Sequence, residues 1–303
     1  DDLTFSATTS VGATNAINTT VAEIVSGTST GTGDIDINET NAITLTLLDN
    51  DDGNINLVAG GAVTAVNVTT EGTLDTDDIT LQGTSIEVGT INANIGAALG
   101  DVILTATTGA IDDADNNSLV TADDFSFGAL SNVGGTNAIN TTVAEILSGT
   151  AGATAGAIDI NETDAVTLTA LSNTNGAIQV VAGTNIVQNA AVSSANGGVT
   201  YDAGGTINVN NTLTTTGTGG VVAIDSTGVT AVAAAGDINA VGTVTFGATK
   251  AGTLTTAGDV TTSADNITFT RAVTLNGPVA LSTAAGAGNV TFSNTLNGAQ
   301  TLG

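Results

Sequence analysis

The chain has no cysteine, histidine, methionine or tryptophan. Without cysteine there are no disulfides, no thiolate metal sites and no thiol chemistry. Without histidine, protonation hardly changes between about pH 5 and 8, and the commonest general base is missing. Aromatic residues make up only 2% of the chain, so its core must be built from Ala, Val, Ile and Leu rather than from rings. Cations are scarce as well: Lys and Arg total 2 against 29 Asp and Glu, a net charge of −27. Nucleic acids and anionic membranes are bound through Lys and Arg, so neither suits this surface. No apolar run reaches the roughly 18 residues of a membrane-spanning helix, and no basic start leads into an apolar leader. The 303 residues therefore read as a segment of something longer. One proline, Pro278, leaves the chain free to form sheet ladders, and 39 glycines supply its turns.

The dominant feature present is self-similarity. Residues 11–27 read VGATNAINTTVAEIVSG and residues 133–149 read VGGTNAINTTVAEILSG, an offset of 133 − 11 = 122. The match begins at Asp1-Asp2-Leu3-Thr4-Phe5 against Asp123-Asp124-Phe125-Ser126-Phe127. A chain built this way is an array. Its units are expected at 1–122 and 123–241, with 242–303 the start of a third.

A shorter motif recurs inside the long one: Gly, a small or polar residue, then alternating apolar and polar positions. Gly53-Asn54-Ile55-Asn56-Leu57, Gly100-Asp101-Val102-Ile103-Leu104 and Gly176-Ala177-Ile178-Gln179-Val180 are examples. Period-2 alternation makes each a strand with one buried face, and the Gly makes a corner. Strand and corner repeating at roughly 20 residues per circuit is the signature of a parallel β-helix, so the fold class is all-β, a β-solenoid. The alternative, a string of β-sandwich domains, calls for aromatic cores and Pro-rich boundaries that the chain lacks. The segment from Thr14 to Gly27 spaces Ile17, Val21, Ile24 and Val25 as a helix would. Its Thr-rich surroundings favour another coil of the solenoid.

The stretch from Asp265 to Gly303, with Asn289-Val290-Thr291-Phe292 and Asn297-Gly298-Ala299-Gln300-Thr301-Leu302, resembles the repeats of filamentous-haemagglutinin-type and autotransporter-type surface proteins of Gram-negative bacteria. Gly100-Asp101-Val102-Ile103-Leu104 through Gly109-Ala110-Ile111 fits a second repeat pattern of that family. The resemblance implies a right-handed β-helix and a role in adhesion, biofilm matrix or cell-surface coat. It also implies a location outside the cell, on the surface or secreted.

The candidate sites are acidic turns. Asp49-Asn50-Asp51-Asp52-Gly53-Asn54 resembles a calcium loop, although it lacks the distal Glu and the Gly spacing of an EF-hand. Asp75, Asp77 and Asp78 form a second cluster, and Asp112, Asp113 and Asp115 a third. Hard divalent cations prefer such oxygen donors, so Ca²⁺ is the expected ligand; solvated turns are the plain alternative. No residue is expected to be catalytic, and the chain reads as no enzyme. A polysaccharide-active β-helix enzyme would need Lys250 or Arg271 as its base, and both read as isolated surface charges. The expected function is an extracellular structural or adhesive segment of a bacterial adhesin, fibre or coat. An S-layer-like calcium lattice is the alternative. Self-association, or host or extracellular polysaccharide or protein, supplies the expected partners.

Overall fold

The computed structural model describes residues 1–72, 76–93 and 100–303. Among these there is no helix, and strands follow one another from Asp2–Ala7 to Leu296–Asn297. Each strand pairs in parallel with the strand about one circuit later, as a β-solenoid requires. The chain divides into two compact units, Asp1–Thr154 and Ala155–Gly303.

The second unit shows the plan most plainly. Its coils have three sides. One side stacks Ile158–Glu162, Ile178–Ala182, Val199–Ala203, Val222–Ser226, Val244–Phe246, Ile267–Phe269 and Val290–Phe292. The inward column on that side runs Ile158, Ile178, Val199, Val222, Val244, Ile267 and Val290, each paired with the next. The second side aligns Val166, Ile186, Ile207, Thr230, Leu254 and Val273. The third aligns Leu171, Val192, Leu213, Ile238, Val260 and Leu281. Strands of two to five residues explain the composition: three short sides enclose a narrow space that β-branched side chains fill. Where rings do occur they stack. Phe246, Phe269 and Phe292 form one column with centroids 5.2 and 4.6 Å apart and nearly parallel planes.

Circuit length is elastic. In the second unit it falls to 19 residues between the paired Leu254 and Val273 and rises to 25 between Leu213 and Ile238; in the first it reaches 29 between Thr90 and Leu119. The differences are absorbed at corners. Gly53 shows why some corners demand glycine: its φ is +128°, and a Cβ there would lie 2.8 Å from the backbone of Gly33, one coil earlier.

In the first unit the Thr14–Gly27 segment is coil of the solenoid, with strands Ile17–Thr19 and Glu23–Thr32; its copy is the strand Ile139–Ala151. The two copies do not lie on the same side. Leu3 and Ile24 head a side that continues through Leu45, Ala65 and Val88. Their counterparts Phe125 and Ile146 lie on the side that runs Ile35, Ile55, Ile79 and Val102. The 122-residue period is therefore not a whole number of coils: the sequence returns one side further round.

Candidate functional site

The outward surface is where a structural repeat can act, and its acidic groups fall into three kinds. The first kind sits at corners. In the first unit, the side-chain oxygen of the residue just before a strand accepts the backbone N–H of its counterpart in the next coil. Asn54 N–H donates to Asp34 Oδ1 (2.9 Å), Asp78 N–H to Asn54 Oδ1 (2.8 Å), Asp101 N–H to Asp78 Oδ1 (3.0 Å) and Asp124 N–H to Asp101 Oδ1 (3.2 Å). The second unit repeats the device at Asn185, Asp237, Asp259 and Asn266. These residues satisfy backbone donors that the corner takes out of the ladder. The recurrent Gly-[Asp/Asn]-[Val/Ile] motif was the visible signal for them.

The second kind is a convergence of carboxylates. Glu87 lies on the strand Ile86–Asn92, which pairs with Ile111–Asp112, so the turn after Asp112 is brought over it. One carboxylate oxygen each from Glu87, Asp113 and Asp115 lies within 4.8 Å of the others. Burial raises the Glu87 carboxyl above its ordinary value; the Ala114 amide opposes this, and the charges of Asp112, Asp115 and Asp113 add to the rise. Burial also acts to raise Asp113. The hydroxyl and amide of Ser118 and the amide of Asn117, at 2.7, 3.1 and 2.9 Å, outweigh it and hold the group below its usual value. The result is a fixed anion beside two others, an arrangement whose chemistry is that of a hard-cation ligand set.

The remaining acidic residues named from the sequence are placed differently. Asp49, Asp51 and Asp52 belong to a strand, Leu48–Asp52, rather than a loop. Asn50 is buried there, donating to the carbonyls of Gly33 and Asn54. Asp49 accepts the Thr69 hydroxyl and Asp51 is exposed, so the oxygens of this stretch alternate between the two faces. Asp75 lies outside the described residues. Asp77 is buried, and Asp78 belongs to the corner ladder. Asp112 accepts the Thr136 amide and hydroxyl at 2.9 and 2.8 Å. Of the nine, the structure brings Asp113 and Asp115 together, with Glu87 as the partner the sequence reading missed. The signal for Glu87 was its outward place in Ile86-Glu87-Val88, one coil before Asp112.

The third kind pairs with the two cations. Arg271 is not an isolated surface charge: its side chain is 2% exposed. One guanidinium nitrogen donates to Asp225 Oδ1 at 2.6 Å, and the other donates to the hydroxyls of Ser226 and Thr230, both at 3.0 Å. Gly247 makes the room, since a Cβ at that residue would lie 2.3 Å from Arg271 Nε. Burial acts to raise Asp225, but the Thr249 amide and hydroxyl, the Lys250 amide and the Arg271 charge leave it below its ordinary value. Lys250 is likewise paired, with Asp202 and with the Ala203 carbonyl. Asp202 and Asp225 are ladder neighbours, and each cation reaches back across two coils to its aspartate.

No protein-family model, no curated protein and no solved structure matches this chain.

Proposed function

We propose that the chain is an extracellular structural and adhesive element, a segment of a surface adhesin, fibre or coat that acts without catalysis. The observation that carries this reading is the in-register outward column Ser172, Ser193, Thr214, Asn239, Thr261 and Ser282, which presents one hydroxyl or amide per coil. Coils stack about 4.8 Å apart, so the column is a regular row of hydrogen-bonding groups on a stiff scaffold. Such a row binds extended polymers, polysaccharide above all, through many weak contacts rather than one pocket. The resemblance to filamentous-haemagglutinin-type repeats points the same way. Fab fragments raised against the chain should label intact producing cells and reduce their attachment to a glycan-coated surface. Labelling only after permeabilisation would rule the reading out.

A second reading, a calcium-dependent lattice, is favoured by the Glu87, Asp113 and Asp115 convergence. It predicts ordered arrays in about 5 mM Ca²⁺, above the range of extracellular calcium modules, that dissolve in chelator. Arrays indifferent to chelator would eliminate it.

A further inference from the structure

One corner of the second unit departs from the others. From the inward residue that opens the first side to the one that opens the second, the chain takes eight residues in four coils: 158 to 166, 178 to 186, 199 to 207 and 222 to 230. It takes ten from Val244 to Leu254, then six from Ile267 to Val273 and from Val290 to Leu296. The path is longest just before it becomes shortest. Seven residues, 247–253, separate the strands Val244–Phe246 and Leu254–Thr256, where the corners of the coils before and after take three. Insertions in a solenoid fall on loops of one face, commonly the binding face. This one carries the only lysine of the chain.

The long corner is tied to the coils before it. Asp225 accepts the Thr249 amide and hydroxyl at 2.7 and 2.8 Å and the Lys250 amide at 3.2 Å, and the Gly252 amide donates to the Ser226 carbonyl at 3.2 Å. The Lys250 ammonium has three N–H groups. Asp202 and the Ala203 carbonyl accept two of them, which leaves one, and the side chain is 27% exposed. An open cavity of about 220 Å³ lies where this corner meets the two short ones that follow. Lys250, Ala251 and Thr253 of the long corner line it, with Thr270 and Arg271 of the next and Asn294 of the one after. No carboxylate lines it, in a chain with 29 acidic residues. The Thr270 hydroxyl donates to the Phe246 carbonyl at 3.1 Å and keeps its capacity to accept. Asn294 accepts the Thr295 amide through Oδ1 at 2.8 Å and keeps its NH₂ group as a donor. Arg271 Nε is a buried donor without an acceptor, so the guanidinium is not saturated by Asp225, Ser226 and Thr230.

We propose that this cavity binds one acidic sugar, a pyranose that carries a carboxylate. The volume is below the roughly 300 Å³ at which sites for drug-sized ligands begin, and suits a single ring. The carboxylate takes the remaining N–H of Lys250, the ring hydroxyls exchange hydrogen bonds with Thr253, Thr270 and Asn294, and Ala251 meets the apolar part of the ring. Arg271 is a positioning residue that builds the corner and does not touch the ligand. Asp202 and Asp225 are both paired with cations, so an anion meets less repulsion here than against the unpaired carboxylates of a chain of net charge −27. The site deepens the polymer-binding reading above, and rests on it for the source of the sugar, an extracellular polysaccharide.

The single lysine makes the test direct. Carbon-13 labelling at lysine Cε gives one side-chain resonance, that of Lys250. Titration of the 303-residue chain with glucuronate to about 20 mM, beyond the millimolar range of one weak contact, should move it along a saturating curve. Glucose, and sodium sulfate at matched ionic strength, should not. Thr253 and Asn294 are exposed, so the double variant Thr253→Val and Asn294→Leu should keep its far-UV circular dichroism and its ligand-free resonance. Its dissociation constant for glucuronate should rise at least about fivefold, the worth of a lost hydrogen bond. The proposal is overturned by a resonance that glucuronate does not move, by an equal shift with glucose or with sulfate, or by a double variant that binds as tightly as the parent. Fab fragments that block cell attachment while Lys250 ignores glucuronate would remove this site and leave the surface role. Saturation by glucuronate in a chain that Fab fragments label only after permeabilisation would uphold the site and overturn its extracellular source.

Discussion

At the scale of single residues, this protein spends its charge on geometry. Arg271 is the sharpest case, because a buried guanidinium is tolerated only when its partners are in place. Arg271→Met should therefore destabilise the second unit by about 3 kcal/mol, leaving Asp225 buried without its counter-charge. A urea melt followed by circular dichroism reads this, and an unchanged midpoint would count against the ionic staple. Its pH dependence follows from the sign of the shift. Asp225 is held below its ordinary value in the folded state. Its contribution is therefore present above the unfolded value of about 3.9 and is lost as pH falls through the lower folded value. Glu87 has the opposite sign: its folded value is raised, so its ionised form is a burden that protonation relieves. Glu87→Gln should raise the thermal midpoint at pH 7 in EDTA and abolish any rise produced by Ca²⁺. A lowered midpoint in EDTA would mean that Glu87 is not strained by its acidic neighbours. None of these pairings could be read along the chain. Asp225 and Arg271 are 46 residues apart, and which residues meet across two coils depends on corner lengths that vary from circuit to circuit.

At the scale of strands and corners, the corner ladder is the device that makes stacking continuous. Asp101→Ala should cost about 1 kcal/mol, since the Asp124 amide loses its acceptor. Asp101→Asn should cost little, because Asn54 does the same work in the same ladder. Equal losses for both substitutions would show that the carboxylate charge, and not the acceptor, matters. Much at this scale was legible beforehand. Alternation in Ile55-Asn56-Leu57 and Ile178-Gln179-Val180 marked strands, and the glycines before them marked corners. The three-sided division was not legible, because a sharp bend between Ile43–Leu45 and Leu48–Asp52 takes two residues and carries no glycine. The acidic residues were read as turn-borne clusters because they follow one another in sequence. In a strand such as Leu48–Asp52, neighbours in sequence face opposite ways, while Asp113 and Asp115 meet a third carboxylate, Glu87, from the coil before.

At the scale of the whole chain, the sequence repeat and the structural repeat are different periods. The 122-residue copy returns one side round from where it started, so identical surface sequence faces a new direction in each copy. A polymer-binding column is consequently assembled from whichever outward residues share a register, such as Ser193, Thr214 and Asn239, and not from the sequence motif itself. Stacking of coils in parallel register is the claim on which the surface column and the ionic staple both depend. The absence of native cysteine makes it directly measurable. Asn239 and Thr261 are paired outward residues on adjacent coils, about 4.8 Å apart by sheet spacing and within the span a disulfide bridges. The double variant Asn239→Cys and Thr261→Cys should form an intramolecular disulfide on mild oxidation, read as a 2 Da mass loss (about two hydrogens) and a blocked thiol count. The control Asn239→Cys with Thr262→Cys, where Thr262 is buried on the inward face, should not. Efficient closure of the first pair alone is the predicted result; closure of the control pair, or of neither, would contradict the stacked solenoid.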